Sequence, residues 1–235
     1  MDKVNPNVIM LAEANVPEHQ LKAYDISYNF PYYGALTAVV VNGEPATRIR
    51  EQWEKAKAAF PRGARFLHLN DNHDRNRADV VFGEKATLAT TVLNFTLDGI
   101  PFLYNGQEVG DTTAPQQQSH VPIRWDIWKP EGQRRTSIAG RQMARLRAYK
   151  QIIEMRKQEP ALTSGDLTWV DNSNLDGVVS FTRKKGNDEI LVLVNLTNRI
   201  TKVQVDAPAS AYAEARDLLK SRTVPASLTP DKFTC

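Results

Sequence analysis

Asn70-Asp71-Asn72-His73-Asp74-Arg75-Asn76-Arg77 is an unbroken run of hydrogen-bonding or charged side chains, and it follows the strand-like stretch Arg65-Phe66-Leu67-His68-Leu69. Behind a buried strand, only a site or a polar turn tolerates such density. Two chemistries fit it. A metal could draw on His68, Asp71, His73 and Asp74, but their spacing matches none of the usual zinc signatures, and no metal is assigned. The other chemistry is recognition of a polyhydroxylated substrate. Asp74 is then a fixed negative charge, and Asn72, His73 and Arg77 supply directional donors. Glu13 stands directly after the apolar run Val8-Ile9-Met10-Leu11-Ala12. A carboxyl there is expected to be partly withdrawn from water, as suits a general acid; the plainer reading is a carboxylate that caps the following turn. Gly99 to Gly110 is a third segment, a buried strand opening into a glycine-hinged loop with one carboxylate, Glu108.

The elements that must position these groups alternate along the first two thirds of the chain. Val8–Ala12 reads as a strand buried on both faces, Tyr24–Phe30 as a second, Arg65–Leu69 as a third and Ile100–Tyr104 as a fourth. Ile49, Trp53, Ala56 and Phe60 recur at helical spacing before Pro61-Arg62-Gly63. Leu88, Val92 and Phe95 mark a helix ending near Asp98-Gly99, and residues 136–158 form another, with Ala139, Met143, Leu146 and Ile153 on one face. Strand-helix alternation is the signature of parallel βα units, and each strand has polar residues just after its end. After Pro160 the texture changes. Leu167–Val170, Val178–Arg183, Glu189–Leu196 and Ile200–Val205 read as antiparallel strands, with Lys185-Gly186-Asn187-Asp188 as a hairpin turn.

Composition narrows the partners. The 235 residues carry 30 Lys+Arg against 27 Asp+Glu, a net charge of +3 that gives nucleic acid no basic footprint. The densest basic stretch, Arg134 to Lys157, reads as a solvated helix face. No apolar run is long enough to span a bilayer. The first residues show no basic segment followed by an apolar one, and nothing in the sequence fixes a compartment. The single cysteine, Cys235, excludes an internal disulfide and a cysteine metal site. Asn94-Phe95-Thr96 and Asn195-Leu196-Thr197 match the glycosylation pattern but fall in predicted helix or strand, so they read as structural. Trp125 and Trp128, in the Thr112–Trp128 loop, could stack on sugar faces or simply pack.

Taken together, the segments resemble the α-amylase superfamily of glycoside hydrolases. Leu11-Ala12-Glu13-Ala14 is similar to its strand-five motif, Tyr24-Asp25 to Asn29-Phe30 to the segment around strand six, Asn72-His73-Asp74-x-x-Arg77 to strand seven, and Gly99-x-Pro101-x-x-Tyr104-x-Gly106-x-Glu108-x-Gly110 to strand eight. The resemblance implies an α/β fold: a partial TIM (β/α)8 barrel, about strands 5–8, over residues 1–158, followed by an antiparallel β-sandwich domain over 159–235 that is cut in its last strand at Phe233-Thr234-Cys235. It implies retaining hydrolysis of α-linked glucans, with Glu13 as acid/base, Asp74 stabilising the oxocarbenium-like transition state, and His73, Asn72 and Arg77 binding substrate. Related transglycosylation or sugar isomerisation, and a non-catalytic carbohydrate-binding remnant, are the alternatives. The resemblance leaves calcium open for a full-length enzyme and assigns no cofactor here. It also implies a missing N-terminal half carrying strands one to four and the carboxylate nucleophile of the Gly-x-Arg-x-Asp motif. A half barrel leaves Val8–Ala12 as an edge strand, so the chain alone is expected to be marginally stable and weakly active or inactive.

Overall fold

In a computed structural model of the chain, the described residues are 5–113, 121–133, 135–205, 216–219, 222–223, 227–229 and 232–234. Arg134, Cys235 and the centre of the Thr112–Trp128 loop lie outside them. The first part runs β1 (Leu11–Ala12), α1 (Pro17–Lys22), β2 (Ile26–Tyr28), α2 (Phe30–Val40), α3 (Thr47–Ala59), β3 (Arg65–His68), α4 (Ala78–Phe82), α5 (Glu84–Thr96), β4 (Ile100–Pro101) and α6 (Thr136–Gln158). The four strands form one parallel sheet in the order β1-β2-β3-β4. Its register pairs Leu11 with Ile26, Ser27 with Phe66 and Leu67 with Ile100. The segments after all four strands therefore leave the sheet at the same edge, which is what gathers the site.

Val8–Ala12 departs from its expected burial. Only Leu11 and Ala12 enter the ladder, and Ile9 is 71% and Leu11 43% exposed. Among the described strands β1 pairs with β2 alone, so its outer side has no neighbour to cover it. The second strand is shorter than its apolar run because the chain turns into α2 at Asn29. The Asn29 side chain accepts the Tyr32 N–H at 3.3 Å and Pro31 sits in the first turn, a helix start that residues 24–30 conceal. α2 has almost no polar face to reveal it: Tyr32, Tyr33, Ala35, Leu36 and Val39 are buried.

Buried threonines characterise α5. Thr87, Thr91 and Thr96 return their hydroxyls to the carbonyls of Gly83, Thr87 and Val92 one turn back, so these three hydroxyls are not stranded in the core. α6 matches its expected span but not its expected faces. Gln142, Arg145 and Tyr149 are buried beside Ala139 and Ile152, so the basic stretch is not simply a solvated face. Arg145 turns inward because partners wait there: the Gln107 carbonyl at 3.1 Å and the Asp79 carboxylate.

The remainder is α7 (Pro160–Ser164), β5 (Asp166–Trp169), β6 (Val178–Lys185), β7 (Asp188–Asn195), β8 (Gln204–Val205), β9 (Arg216–Asp217), β10 (Arg222–Thr223), β11 (Ser227–Thr229) and β12 (Lys232–Thr234). It builds antiparallel sheets β5-β6-β7 and β11-β12-β8, with β9 and β10 paired. Gly186 takes φ +61° in the β6–β7 hairpin, as the expected turn requires. One face of β6–β7 does not form a separate core. Phe181, Val192 and Val194 join Leu36, Ile49, Leu67, Leu93 and Leu97 in one apolar cluster. Arg183, buried on β6, donates to the Thr96 carbonyl at 2.6 Å and the Gly165 carbonyl at 2.9 Å. It satisfies the end of α5, where backbone carbonyls lack intrahelical donors.

Candidate active site

Glu13 follows β1, and His73 and Asp74 lie in the loop after β3. The parallel register brings the three together: one carboxylate or imidazole atom of each lies within 4.8 Å of the others. His73 Nε2 is 3.4 Å from Asp74 Oδ2. All three side chains are exposed. The expected desolvation of Glu13 is therefore absent here, because the strand end it occupies lies at the open edge of the sheet. Asp74 is fixed at its main chain by a bond from its N–H to Asn72 Oδ1 at 3.1 Å. Two carboxylates and an imidazole at this spacing can donate and accept protons and hold a polyol.

The metal reading of the sequence is taken apart by the fold. His68 is fully buried on β3, with Nε2 2.8 Å from the Asp98 carbonyl, and burial lowers its pKa. Asp71 is fully buried too, accepting the Ala78 N–H at 3.0 Å. Neither reaches His73 and Asp74; Glu13 takes their place. Glu13, His73 and Asp74 bring two carboxylates and one imidazole nitrogen together, a donor set that could hold a metal ion.

Asn72 and Arg77, expected to touch substrate, are placed beneath the surface. Asn72 is fully buried, and its Nδ2 has no hydrogen-bond partner. Arg77 is 5% exposed and spends its donors inside. Nη2 is 3.0 Å from Asp111 Oδ2, Nη1 donates to the Asn105 carbonyl at 2.8 Å, and Nε donates to the Thr113 carbonyl at 3.2 Å. Its guanidinium also lies 4.7 Å from the centre of the Tyr104 ring. Arg77 thus fastens the loop after β4 to the loop after β3. The glycines of that loop make room for it: Gly106 has φ +96°, and a Cβ there would meet Arg77 Nη2 at 3.3 Å. Glu108 turns back within the same loop and accepts the Gly106 N–H at 2.9 Å.

Half of the polar run is therefore structural. Asn70 donates to Thr91 at 2.9 Å and accepts from Asn94 at 2.9 Å, Asn94 accepts from Tyr32, and Thr91 and Gln107 meet the Tyr149 hydroxyl. This buried network wires β3 to α2, α5 and α6 and holds the loop that carries His73 and Asp74. Trp125 packs with Val109, Ile127 and Ala139, whereas Trp128 is 70% exposed.

Sequence reasoning passed over a row of aromatic rings beyond the strand ends. Tyr28, at the end of β2, stacks on Phe30 at 5.1 Å and faces Phe102 at 6.3 Å, and Phe102 stacks on Tyr104 at 6.4 Å. The signal was the recurrence of aromatic residues just past the ends of β2 and β4. A cleft of about 520 Å³ lies elsewhere, lined by Val8, Tyr24, Asp25, Arg62, Arg65 and others at the opposite ends of the strands. It shares no residue with the catalytic candidates.

No family model matches the chain. Among curated proteins it is 28% identical over 197 residues to α-amylase MalA of Haloarcula japonica, covering 82% of this chain and 27% of that protein. It is 26% identical over 230 residues to α-amylase 3 of Dictyoglomus thermophilum, covering 85% of this chain and 45% of that protein. The chain thus spans between about a quarter and a half of these relatives. Among solved structures, the maltogenic α-amylase AmyB of Thermotoga neapolitana superposes with a TM-score of 0.79 at 19% identity, over 100% of this chain and 53% of that one, a likeness of fold.

Proposed function

The chain belongs to the α-amylase superfamily of glycoside hydrolases, and from that premise we propose that it is the C-terminal part of an enzyme that hydrolyses α-linked glucans with retention of configuration. One observation carries the proposal. Glu13 and Asp74, far apart in sequence, converge with His73 at one end of a parallel sheet, their functional atoms within 4.8 Å. Activity at that end is what a βα barrel requires. Relatives named for α-amylase activity support the substrate class.

In this reading residues 1–158 are strands five to eight of a (β/α)8 barrel and residues 159–235 are its C-terminal β-sandwich. Glu13 protonates the glycosidic oxygen and then activates water. Asp74 binds the sugar ring and stabilises the oxocarbenium-like transition state, and His73 hydrogen-bonds the hydroxyls of the same ring. Asn72 and Arg77 act from below, through Asp74 and through the 105–113 loop. The nucleophile comes from four preceding βα units, in the same polypeptide or in a partner chain. A second reading gives the nucleophile's role to Asp74 itself, because retaining pairs place their carboxyl groups about 5–5.5 Å apart and an oxygen of Glu13 lies within 4.8 Å of one of Asp74.

The test is to express the chain with a polypeptide supplying the first four βα units and to assay maltooligosaccharides. Glu13→Gln is expected to cost ~10²–10⁴-fold in kcat, the usual worth of a general acid, and less on an aryl glycoside whose leaving group departs unaided. An unchanged rate for Glu13→Gln sinks the catalytic reading and leaves carbohydrate binding. Trapping with a fluorinated glycoside separates the two nucleophiles: label on a peptide of the first half supports the first reading, and label on Asp74 the second.

A further inference from the structure

We propose that Glu13, His73 and Asp74 form a binding site for a divalent transition-metal ion of the zinc class, and that the ion and a glucan exclude each other there. The metal site stands on the geometry of the three side chains. Only the exclusion rests on the reading of Glu13 and Asp74 as the working carboxylates. Two distant segments build the site, Glu13 from the end of β1 and His73-Asp74 from the loop after β3.

The distances suit one ion. Zinc holds imidazole nitrogen and carboxylate oxygen at about 2.0–2.2 Å, so neighbouring corners of its tetrahedron stand about 3.3–3.6 Å apart. His73 Nε2 and Asp74 Oδ2 are 3.4 Å apart, inside that range. One donor atom of each residue lies within 4.8 Å of the others. Glu13 therefore has at most about 1.5 Å to close, by rotation of its own side chain between staggered rotamers. All three side chains are exposed, so an ion reaches them directly from water. Three protein ligands leave a fourth corner for water, the pattern of an open zinc site. The imidazole decides the class of ion. Calcium and magnesium take oxygen ligands, six or more for calcium, whereas two carboxylates with a nitrogen suit zinc, nickel and copper. The His73-Asp74 pair is held in place by the loop beneath it. Asn72 Oδ1 accepts the Asp74 N–H at 3.1 Å, Asn70 donates to Thr91 on α5, and Arg77 binds the Asn105 carbonyl and Asp111. An ion that joins Glu13 to Asp74 occupies the same lone pairs that a sugar ring would use, hence the exclusion.

The experiment is a calorimetric titration of zinc chloride into the metal-free chain. One ion per chain is expected to bind. His73→Ala and Glu13→Gln, both at exposed positions, are each expected to weaken binding by about tenfold or more, since even a group behind a metal ligand is typically worth ~10–100-fold in affinity. His120→Ala combined with Cys235→Ser removes the zinc-binding side chains outside the described residues and is expected to bind as the wild type does. Calcium in excess is expected to leave the zinc in place. The proposal is overturned by a chain that binds no stoichiometric zinc, by an affinity that His73→Ala leaves unchanged, by one lost with His120 and Cys235, or by displacement with calcium. The exclusion is read on the chain completed with its first four βα units. Zinc is expected to raise KM for a maltooligosaccharide and leave kcat unchanged; a lowered kcat at constant KM overturns it. Zinc held at His73 by a protein that, completed and metal-free, cleaves no glucan sinks the proposed function alone. Cleavage by a protein that binds no zinc at His73 sinks this inference alone.

Discussion

The residues proposed to do chemistry here and the residues that hold them differ chiefly in exposure. Glu13, His73 and Asp74 face solvent, whereas Asp71, Asn72 and Arg77, from the same polar run, are buried. Asp71 shows what such burial does. Desolvation pushes its pKa up to about 6, against the opposing pull of the Ala78 N–H and of Arg77. The folded chain therefore binds this proton more tightly than the unfolded chain, whose Asp titrates near 3.9. The stabilisation is fully present below about pH 4 and is lost as pH rises through about 6, by ~3 kcal/mol for a shift of this size. Asp71→Asn keeps an acceptor for Ala78. It is expected to remove this falling component, so that wild type minus variant stability declines between pH 4 and 6 in urea titrations. A parallel pair of pH profiles would show that Asp71 ionises at no cost.

At the scale of elements, the α5–β4 corner sets where the site loop begins. Gly99 has φ +126°, and a Cβ there would stand 2.6 Å from His68 Nε2 and 2.7 Å from the Phe66 carbonyl. His68 in turn reads the Asp98 carbonyl, and the Asp98 carboxylate takes Lys57 at 2.9 Å and the Trp53 indole. Arg156 closes the corner from α6, donating to the Phe95 carbonyl at 2.6 Å and the Gly99 carbonyl at 2.7 Å. Gly99→Ala is expected to combine the ~1–2 kcal/mol strain of positive φ with a clash against backbone that cannot yield. Gly43 provides the comparison, with φ +73° and open space around its missing Cβ. In urea unfolding Gly43→Ala should show the strain alone and Gly99→Ala several times that loss. Equal losses would mean that β3 and β4 can part without penalty.

For the whole molecule, the apolar core ignores the division near residue 158. Leu162, Phe181, Val192 and Val194 pack with Leu36, Leu67 and Leu93, and Arg183 reaches from β6 to the end of α5. A chain cut after Gln158 loses that cover and leaves the Thr96 carbonyl without its donor. It is expected to show no cooperative thermal transition, while the full chain shows one. Two separate transitions in the full chain, the first matching residues 1–158 alone, would contradict the shared core.

Much of this was legible in the sequence. The polar run after Leu69, the Glu after the first apolar stretch and the glycine-spaced loop after Ile100 named the site segments because charges seldom follow a buried strand without a reason. The span of α6 and the β6–β7 hairpin followed from local rules of period and turn. Periodicity could not show α2, whose sequence is apolar almost all round, nor which side of α6 faces inward, since Arg145 points in only because the Gln107 carbonyl and Asp79 wait there. Nor could spacing divide Asn70–Arg77 into exposed and buried halves. That division depends on partners far along the chain, Thr91 and Asn94 for Asn70 and Asp111 for Arg77. The sequence by itself determined which groups are available and which local elements carry them. Only the tertiary structure decided which groups meet, because the register of a parallel sheet is fixed by the packing of all its strands and helices together.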